Sequence, residues 1–367
     1  MGKYEDGLGL IVMNNCKEFG EKINENIMRK RKSDKSFIIP SKLDRFSNGE
    51  GKGTINDTVR DKDLYIISDI GNHSETYKMY GYDNHKSPDD HFQDIKRVIS
   101  AVRGQADRMT VVMPLLYESR QHRRKGRESL DCALALQELQ NLGVKTVVTF
   151  DVHDPNIQNA VPTSMSFENF YPTNTILKEF ILNEDFEVEK VNFVSPDSGA
   201  IDRARYYANM FQADVGMFHK RRDLTKIVNG KAPIIAHEYL GGDMTGKTAV
   251  VVDDMIASGG SMIEVAEKLK EKGAKKVHLI STFSLFTEGV DNFRLAYEEG
   301  LFDNLYSTNL TYVDPEAKKQ PWFKMVDCSK YASDIIDTLN RSGSISELKN
   351  GKQKILNMLD KKAKGEL

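Results

Sequence analysis

The run Val250-Val251-Val252-Asp253-Asp254-Met255-Ile256-Ala257-Ser258-Gly259-Gly260-Ser261 constrains this chain more than any other segment. Unbroken β-branched residues describe a strand buried on both faces, which points to a parallel sheet covered by helices. Two carboxylates close the run and a short loop with two glycines follows. Met262 to Leu269 then places apolar residues at helical spacing. The N–H groups of such a loop, with the dipole of the helix it opens, make a seat for a phosphate. The neighbouring carboxylates are suited to accept hydrogen bonds from two adjacent ribose hydroxyls. An ordinary βα turn with a surface Asp pair would explain Asp-Asp alone, but not Ser-Gly-Gly-Ser at this offset.

The same alternation runs along the whole chain. Asp63–Ser68, Met109–Met113, Lys145–Phe150, Thr248–Val252 and Lys276–Ile280 read as buried strands, and about 91–104, 129–142, 199–212 and 261–273 read as helices. Gly143 and Gly273 follow two of these helices, as C-terminal glycines do. The order strand, loop, helix, Gly, strand occurs once in each half, so two similar α/β domains with parallel sheets are expected. A length of 367 residues also exceeds the usual size of a single core. The polar stretch from Gly71 to His91 reads as a long loop or insertion, and the Lys-rich 351–367 as a frayed helix or tail.

Composition narrows the class. A net charge of −2 supplies no basic excess that would suggest nucleic acid. Cys16, Cys132 and Cys328 are odd in number and far apart, which argues against a disulfide framework or a structural zinc site. No apolar run approaches membrane-spanning length, and the first residues show no basic stretch followed by an apolar one, so no secretory leader is expected. A cytoplasmic protein with neither nucleic acid nor membrane as partner is expected.

Gly241-Gly242-Asp243-Met244-Thr245-Gly246-Lys247-Thr248 satisfies the pattern GxxxxGK[ST] literally. A working P-loop follows a strand and opens a helix. Lys247-Thr248 instead feeds the β-branched strand, so a hairpin turn leading into a strand is the reading adopted.

Further polar loops follow other apolar runs. Asp151-Val152-His153-Asp154 comes directly after Lys145–Phe150, at the sheet edge where α/β ligand sites form. A role for this His beside a metal or phosphate and a role capping a loop weigh about equally. Ser195-Pro196-Asp197-Ser198-Gly199-Ala200 follows Val191–Val194, with Arg203 and Arg205 on the next helix. His219-Lys220-Arg221-Arg222 is a basic cluster that, alone, would most often be a solvated face. The segment Arg120–Arg127 is a denser basic loop suited to polyphosphate. Together these features equip a chain to transfer a phosphoryl-type group onto a sugar phosphate.

At this point the chain resembles the ribose-phosphate diphosphokinase (phosphoribosyl pyrophosphate synthetase) family along nearly its whole length. The family's VDDMxxTGGT loop is matched by Val252–Ser261, its DLHxxxIQ by Asp151-Val152-His153 through Ile157-Gln158, and its SPDxGG…RAR by Ser195–Gly199 with Arg203-Ala204-Arg205. Its DKRR is matched by Lys220-Arg221-Arg222, its RFSDGE by Arg45–Glu50, its YxRQDRR by Tyr117–Arg124 and its terminal SIS by Ser344-Ile345-Ser346.

The resemblance implies an α/β fold of two phosphoribosyltransferase-type domains, each a mainly parallel sheet flanked by helices. The first would span 1–169 with about 333–350 packing back on it, the second 170–332, and 351–367 would be a tail. It implies transfer of the β,γ-diphosphoryl group of ATP to the C1 hydroxyl of ribose 5-phosphate, with Mg²⁺ as cofactor and a dimer-based homo-oligomer, up to a hexamer. ATP would bind through Phe46, Asn48, Glu50, Arg120, Gln121, Arg123 and His153. Mg²⁺ would be served by His153 and Asp197, ribose 5-phosphate by Asp253, Asp254, Ala257, Ser258, Gly259, Gly260 and Ser261, and catalysis by the cations Lys220 and Arg222. Departures from the pattern are Asn48 and His122 in place of Asp, Ala257 in place of an acid or Thr, and Lys349 where an aromatic often follows SIS. A non-catalytic relative of the same fold, and a phosphoribosyltransferase that consumes the diphosphate, are the alternatives.

Overall fold

The computed structural model describes residues 7–124, 126–222 and 234–367, with backbone alone described for 220–222 and 234–237. Two compact units result. The first comprises residues 1–172, 309–312 and 327–350, and the second 173–308, 313–326 and 351–367.

The first unit contains β1 (Leu8–Val12), β2 (Ser41–Arg45), β3 (Gly51–Ile55), β4 (Asp63–Ile67), β5 (Thr76–Met79), β6 (Tyr82–His85), β7 (Arg108–Val112), β8 (Thr146–Phe150) and β9 (Ser166–Phe170). Its main sheet has the order β1-β4-β7-β8-β9, parallel throughout. Leu64, Tyr65, Ile66 and Ile67 of β4 are fully buried, as a strand covered on both faces requires. The helix Pro88–Val102 begins with a capping box between Ser87 and Asp90 and with Pro at its first turn. Its Phe92, Ile95, Val98, Ile99 and Val102 form one buried stripe.

Residues 309–312 and 327–332, read from sequence as part of the second domain, cluster with the first unit instead. The reason is specific bonding. Asp69 accepts from the Thr311 hydroxyl at 2.9 Å and from the Tyr312 N–H at 2.6 Å. The helix Ser329–Asn340 also lies along Lys17–Arg31, where Arg31 Nε meets Asp337 Oδ1 at 2.7 Å and Lys30 Nζ reaches Asp337 Oδ2 at 3.0 Å. Arg31 and Asp337 are both buried, and removing one partner of such a pair costs about 3–5 kcal/mol.

The stretch Gly71–His91, expected as a long loop, holds the β5–β6 hairpin. Its turn is Tyr80-Gly81, both with positive φ (50° and 84°), the geometry that matches strand twist. Asn-Gly is the usual marker of that turn, and its absence hid the hairpin.

The second unit contains β10 (Val191–Ser195), β11 (Asp214–Arg222), β12 (Ile234–Leu240), β13 (Thr248–Ile256), β14 (Lys276–Ser284), β15 (Asn304–Thr308) and β16 (Phe323–Val326). The sheet order is β12-β11-β10-β13-β14-β15-β16, parallel except for the β11–β12 pair. From β10 the chain builds outward one way through β11, and from β13 the other way through β14. The β10/β13 boundary is therefore a topological switch point, where crevices open beyond the carboxyl ends of strands.

Gly241–Thr248 connects β12 to β13 and opens no helix, so the P-loop reading fails as expected. The expected hairpin fails too, because β12 pairs with β11 while β13 lies between β10 and β14. The Lys-rich end is no loose tail. Lys352–Ala363 is a helix of the second unit with Ile355 and Leu359 buried, and Lys362 Nζ donates to the Ile181 carbonyl at 2.8 Å.

Candidate active site

The carboxylate pair lies on the last residues of β13, which continues to Ile256, four residues beyond the sequence estimate. Adjacent strand residues point to opposite faces, yet both carboxylates approach one cation. Arg203 Nη1 lies 3.9 Å from Asp253 Oδ1 and 3.8 Å from Asp254 Oδ1. Arg203 comes from the helix Ile201–Phe211 that follows β10, so the switch point itself brings the three together. Asp253 Oδ1 also accepts the Asp254 N–H at 2.9 Å. Burial and the neighbouring Asp254 carboxylate hold Asp253 well above the usual carboxylate range, with Arg203 opposing them. A site that raises a carboxylate in this way favours a ligand that donates hydrogen bonds to it.

Ala257 to Ser261 then turn the chain into the helix Gly260–Glu271. Gly259 is its N-cap at φ 86°, and a Cβ there would fall 2.1 Å from the Phe293 ring. Only glycine fits both conditions. Having no side chain, it caps the helix without a side-chain hydrogen bond, and a Cβ on Gly260 would meet nothing among the described residues within 4 Å. The Ala257 carbonyl accepts from Thr287 N–H at 3.0 Å, so position 257 holds the loop through its backbone.

The loop after β10 is closed by its own Asp197. Oδ1 accepts the N–H groups of Gly199 at 2.8 Å and Ala200 at 3.1 Å, and Ser195 Oγ donates to the Asp197 carbonyl at 2.6 Å. Lys220 and Arg222 fall on the final residues of β11, next to β10, and their side chains lie outside the described residues.

In the first unit, Phe46 to Glu50 form the tip of the β2–β3 hairpin. The Phe46 N–H donates to the Glu50 carbonyl at 2.8 Å and Asn48 Nδ2 to Glu50 Oε2 at 2.9 Å, while the Phe46 residue is 54% exposed. Beyond β7, Arg120 and Arg123 are exposed and Gln121 Nε2 donates to the Ser129 carbonyl at 2.7 Å. Both segments attach to the first turn of Pro88–Val102. Tyr117 donates its hydroxyl to Asp89 Oδ1 at 2.6 Å, and Arg45 Nη2 lies 3.7 Å from Asp90 Oδ1.

His153 is exposed on the loop that leaves β8, after Asp151 in the left-handed region at φ 40°. Its ring centroid lies 5.6 Å from that of His122, and His122 Nε2 lies 3.0 Å from Asp154 Oδ2. His153 and Asp197 belong to different units. Among the described residues no group of three or more His, Cys, Asp or Glu is arranged to hold a metal ion.

Arg203 and Asp154 stand inside sequence motifs, yet the sequence alone assigns neither of them a role. The pair Arg203 and Arg205 at the start of a helix after a strand loop was the available clue to the first. The second carboxylate of Asp-Val-His-Asp was the clue to the other.

Two family models match the chain. The N-terminal domain of ribose phosphate pyrophosphokinase covers residues 8–143, and the phosphoribosyl transferase domain covers 174–289. Ribose-phosphate pyrophosphokinase of Mycoplasmopsis pulmonis is 30% identical over 310 residues, 83% of this chain and 86% of that one. Ribose-phosphate pyrophosphokinase A of Dictyostelium discoideum is 28% identical over 306 residues, 83% of this chain and 88% of that one. The crystal structure of phosphoribosylpyrophosphate synthetase from Mycobacterium smegmatis has the same fold, with a TM-score of 0.74 at 20% identity over 92% of this chain and all of that one.

Proposed function

Because the chain belongs to the ribose-phosphate pyrophosphokinase family, we propose a division of labour among its residues in the reaction of that family. The enzyme transfers the β,γ-diphosphoryl group of ATP to the C1 hydroxyl of ribose 5-phosphate, giving 5-phosphoribosyl 1-diphosphate and AMP for nucleotide biosynthesis.

The observation that carries the assignment is the convergence of Asp253 and Asp254 on Arg203 beside the N-terminus opened by Gly259. The two carboxylates accept hydrogen bonds from the ribose 2- and 3-hydroxyls, and Arg203 limits the repulsion between them. Ala257 to Ser261 hold the 5-phosphate through backbone N–H groups and the Ser258 and Ser261 hydroxyls. On the nucleotide side, Phe46 stacks on adenine, Asn48 and Glu50 bond its edge, and Arg120, Gln121 and Arg123 hold the phosphates.

The C1 oxygen forms a bond to the β-phosphorus as the bond from that phosphorus to the α-bridging oxygen breaks. The hydroxyl proton leaves and AMP takes the electron pair. Such a transfer needs in-line positioning and charge neutralisation. Lys220 and Arg222 stabilise the charge that develops on the moving group. Mg²⁺ keeps several waters and binds through one or two carboxylates plus substrate phosphates. The half-buried Asp197 carboxylate of the second unit would hold it, His153 of the first unit would serve it through a bound water or the nucleotide, and the ion would supply further neutralisation. The basic loop from Arg120 to Arg127 closes to exclude water as a competing acceptor.

The enzyme works as a dimer-based homo-oligomer in the cytosol. Among the described residues no helix is long and apolar enough to cross a membrane. A phosphoribosyltransferase would leave the match over residues 8–143 without a role. The test is incubation with ATP, Mg²⁺ and ribose 5-phosphate. AMP release that depends on ribose 5-phosphate is expected, and its absence in intact protein would sink the reading.

A further inference from the structure

The β5–β6 hairpin meets the tip Phe46–Glu50 at several points. The Tyr80 N–H donates to the Ser47 carbonyl at 2.8 Å. A Cβ on Gly49 would lie 2.6 Å from Met79 Sδ, so the thioether is already pressed against the backbone of the tip. The Arg45 guanidinium lies 5.2 Å from the centroid of the Tyr77 ring. Along β5, Tyr77 and Met79 are half-buried while Thr76 and Lys78 are exposed, the alternation of a strand with one covered face.

The base of the hairpin is anchored just as firmly. Lys86, only 4% exposed, donates to Glu75 Oε1 at 2.8 Å and to Asp94 Oδ2 at 3.0 Å. Asp94 is fully buried and also takes Arg45 in a bidentate pair at 2.7 and 3.0 Å, and Arg97 at 2.7 Å. One carboxylate thus ties together the residue before the tip, the foot of the hairpin and the helix Pro88–Val102. Charge-assisted bonds with this geometry are short and directional.

The tip's own bonds fix its backbone but leave the Phe46 side chain exposed, and ordering the tip on ligand arrival would subtract from affinity. We propose that the hairpin Thr76–His85 is a positioning element for the nucleotide. Tyr77 and Met79 act as positioning residues that hold Phe46, Asn48 and Glu50 in the shape ATP requires. The inference rests on the reading that this tip binds ATP, and neither positioning residue touches the reacting atoms.

The test uses the full chain with Met79→Ala, Tyr77→Leu, Tyr77→Phe and Phe46→Ala. Met79→Ala and Tyr77→Leu are expected to raise the KM for ATP about tenfold. The KM for ribose 5-phosphate and kcat at saturating ATP stay within about twofold, an asymmetry that general loss of structure would not produce. Calorimetric titration with AMP shows the same weakening without turnover, and Tyr77→Phe, which keeps the ring under Arg45, restores it. If Phe46→Ala raises the KM for ATP while both hairpin variants leave it unchanged, the hairpin has no positioning role. A positioning role is equally overturned if the hairpin variants raise the KM of both substrates alike. If Phe46→Ala leaves the KM for ATP unchanged, the assignment of the tip to ATP falls and the inference falls with it.

Discussion

His122 Nε2 lies 3.0 Å from Asp154 Oδ2, joining the basic loop that follows β7 to the loop that follows β8. The other ring nitrogen, Nδ1, lies 3.1 Å from the Ser119 carbonyl, so the imidazole bridges its own loop to the neighbouring one. Asp154 Oδ1 at the same time accepts the Asn156 N–H at 2.9 Å, which fixes the carboxylate. The position where the family pattern carries Asp is here filled by a residue that complements Asp154 instead of repelling it.

Removing this bridge should loosen the loop that carries Arg120, Gln121 and Arg123. His122→Ala and Asp154→Asn are each expected to raise the KM for ATP several-fold. Asn keeps the carbonyl that caps Asn156, so the second change removes little else. The double variant should cost less than the sum, with a coupling of about 0.5–3 kcal/mol. Additive effects in the cycle would show that the two side chains act independently.

Gly259→Ala should damage both stability and sugar binding. The φ of 86° disfavours any L side chain, and the added carbon would meet Phe293, which packs 5.8 Å from Trp322 in the core of the second unit. The loss is expected to be about 1–3 kcal/mol, read as a lower midpoint in urea. A higher KM for ribose 5-phosphate should accompany it, with the KM for ATP little changed. An unaltered midpoint would mean that the loop relaxes without cost.

Lys220→Ala should lower kcat by on the order of 10²-fold or more while the KM for ribose 5-phosphate stays near its original value. A cation acting only on charge that develops during transfer leaves ground-state binding alone. Near-normal turnover in steady-state measurements would refute that role.

Stability should also depend on pH through His278. The residue is fully buried on β14, its ring nitrogens have no hydrogen-bond partner among the described residues, and Glu184 Oε2 is 3.6 Å from Nε2. Burial lowers its affinity for a proton below the ordinary value of 6.5, outweighing the Glu184 carboxylate. Below 6.5 the unfolded chain therefore takes up a proton that the folded chain resists. The contribution of this group is complete above that value and is lost as pH falls beneath it, by up to about 1.4 kcal/mol per pH unit. His278→Phe, placed against Phe180, should flatten the acid limb in urea titrations between pH 5 and 8. An unchanged acid limb would remove His278 as its source.

Much of this arrangement was legible in the sequence because burial on both faces leaves a strong pattern. Leu64 to Ile67 and Val250 to Val252 read as strands from their composition alone, and the polar loops that follow them fall at the sheet edges where ligands bind. The turn from β13 into the helix Gly260–Glu271 was legible for a similar reason, since Gly259 answers to a local geometric demand. Other features depend on partners distant along the chain. Nothing in Arg203 announces that it reaches Asp253 and Asp254, about 50 residues later. The β5–β6 hairpin is polar on its outer face and lacks a standard turn pair, so its pattern resembled that of a loop. Lys352–Ala363 buries only a narrow stripe under many lysines, and composition masked it.

The interleaving of the two units has a consequence for synthesis. The first unit needs residues 327–350, yet its opening segment ends at 172, so 350 − 172 = 178 residues must emerge before it is complete. At about 5–20 residues per second, the ribosome takes roughly 10–35 s to supply them. Throughout that interval the partner surface of Lys17–Arg31 is available to whatever binds nascent chains. The half of the enzyme made first is thus among the last to close, and chaperone demand should track the arrival of Ser329–Asn340 rather than the end of the first sheet.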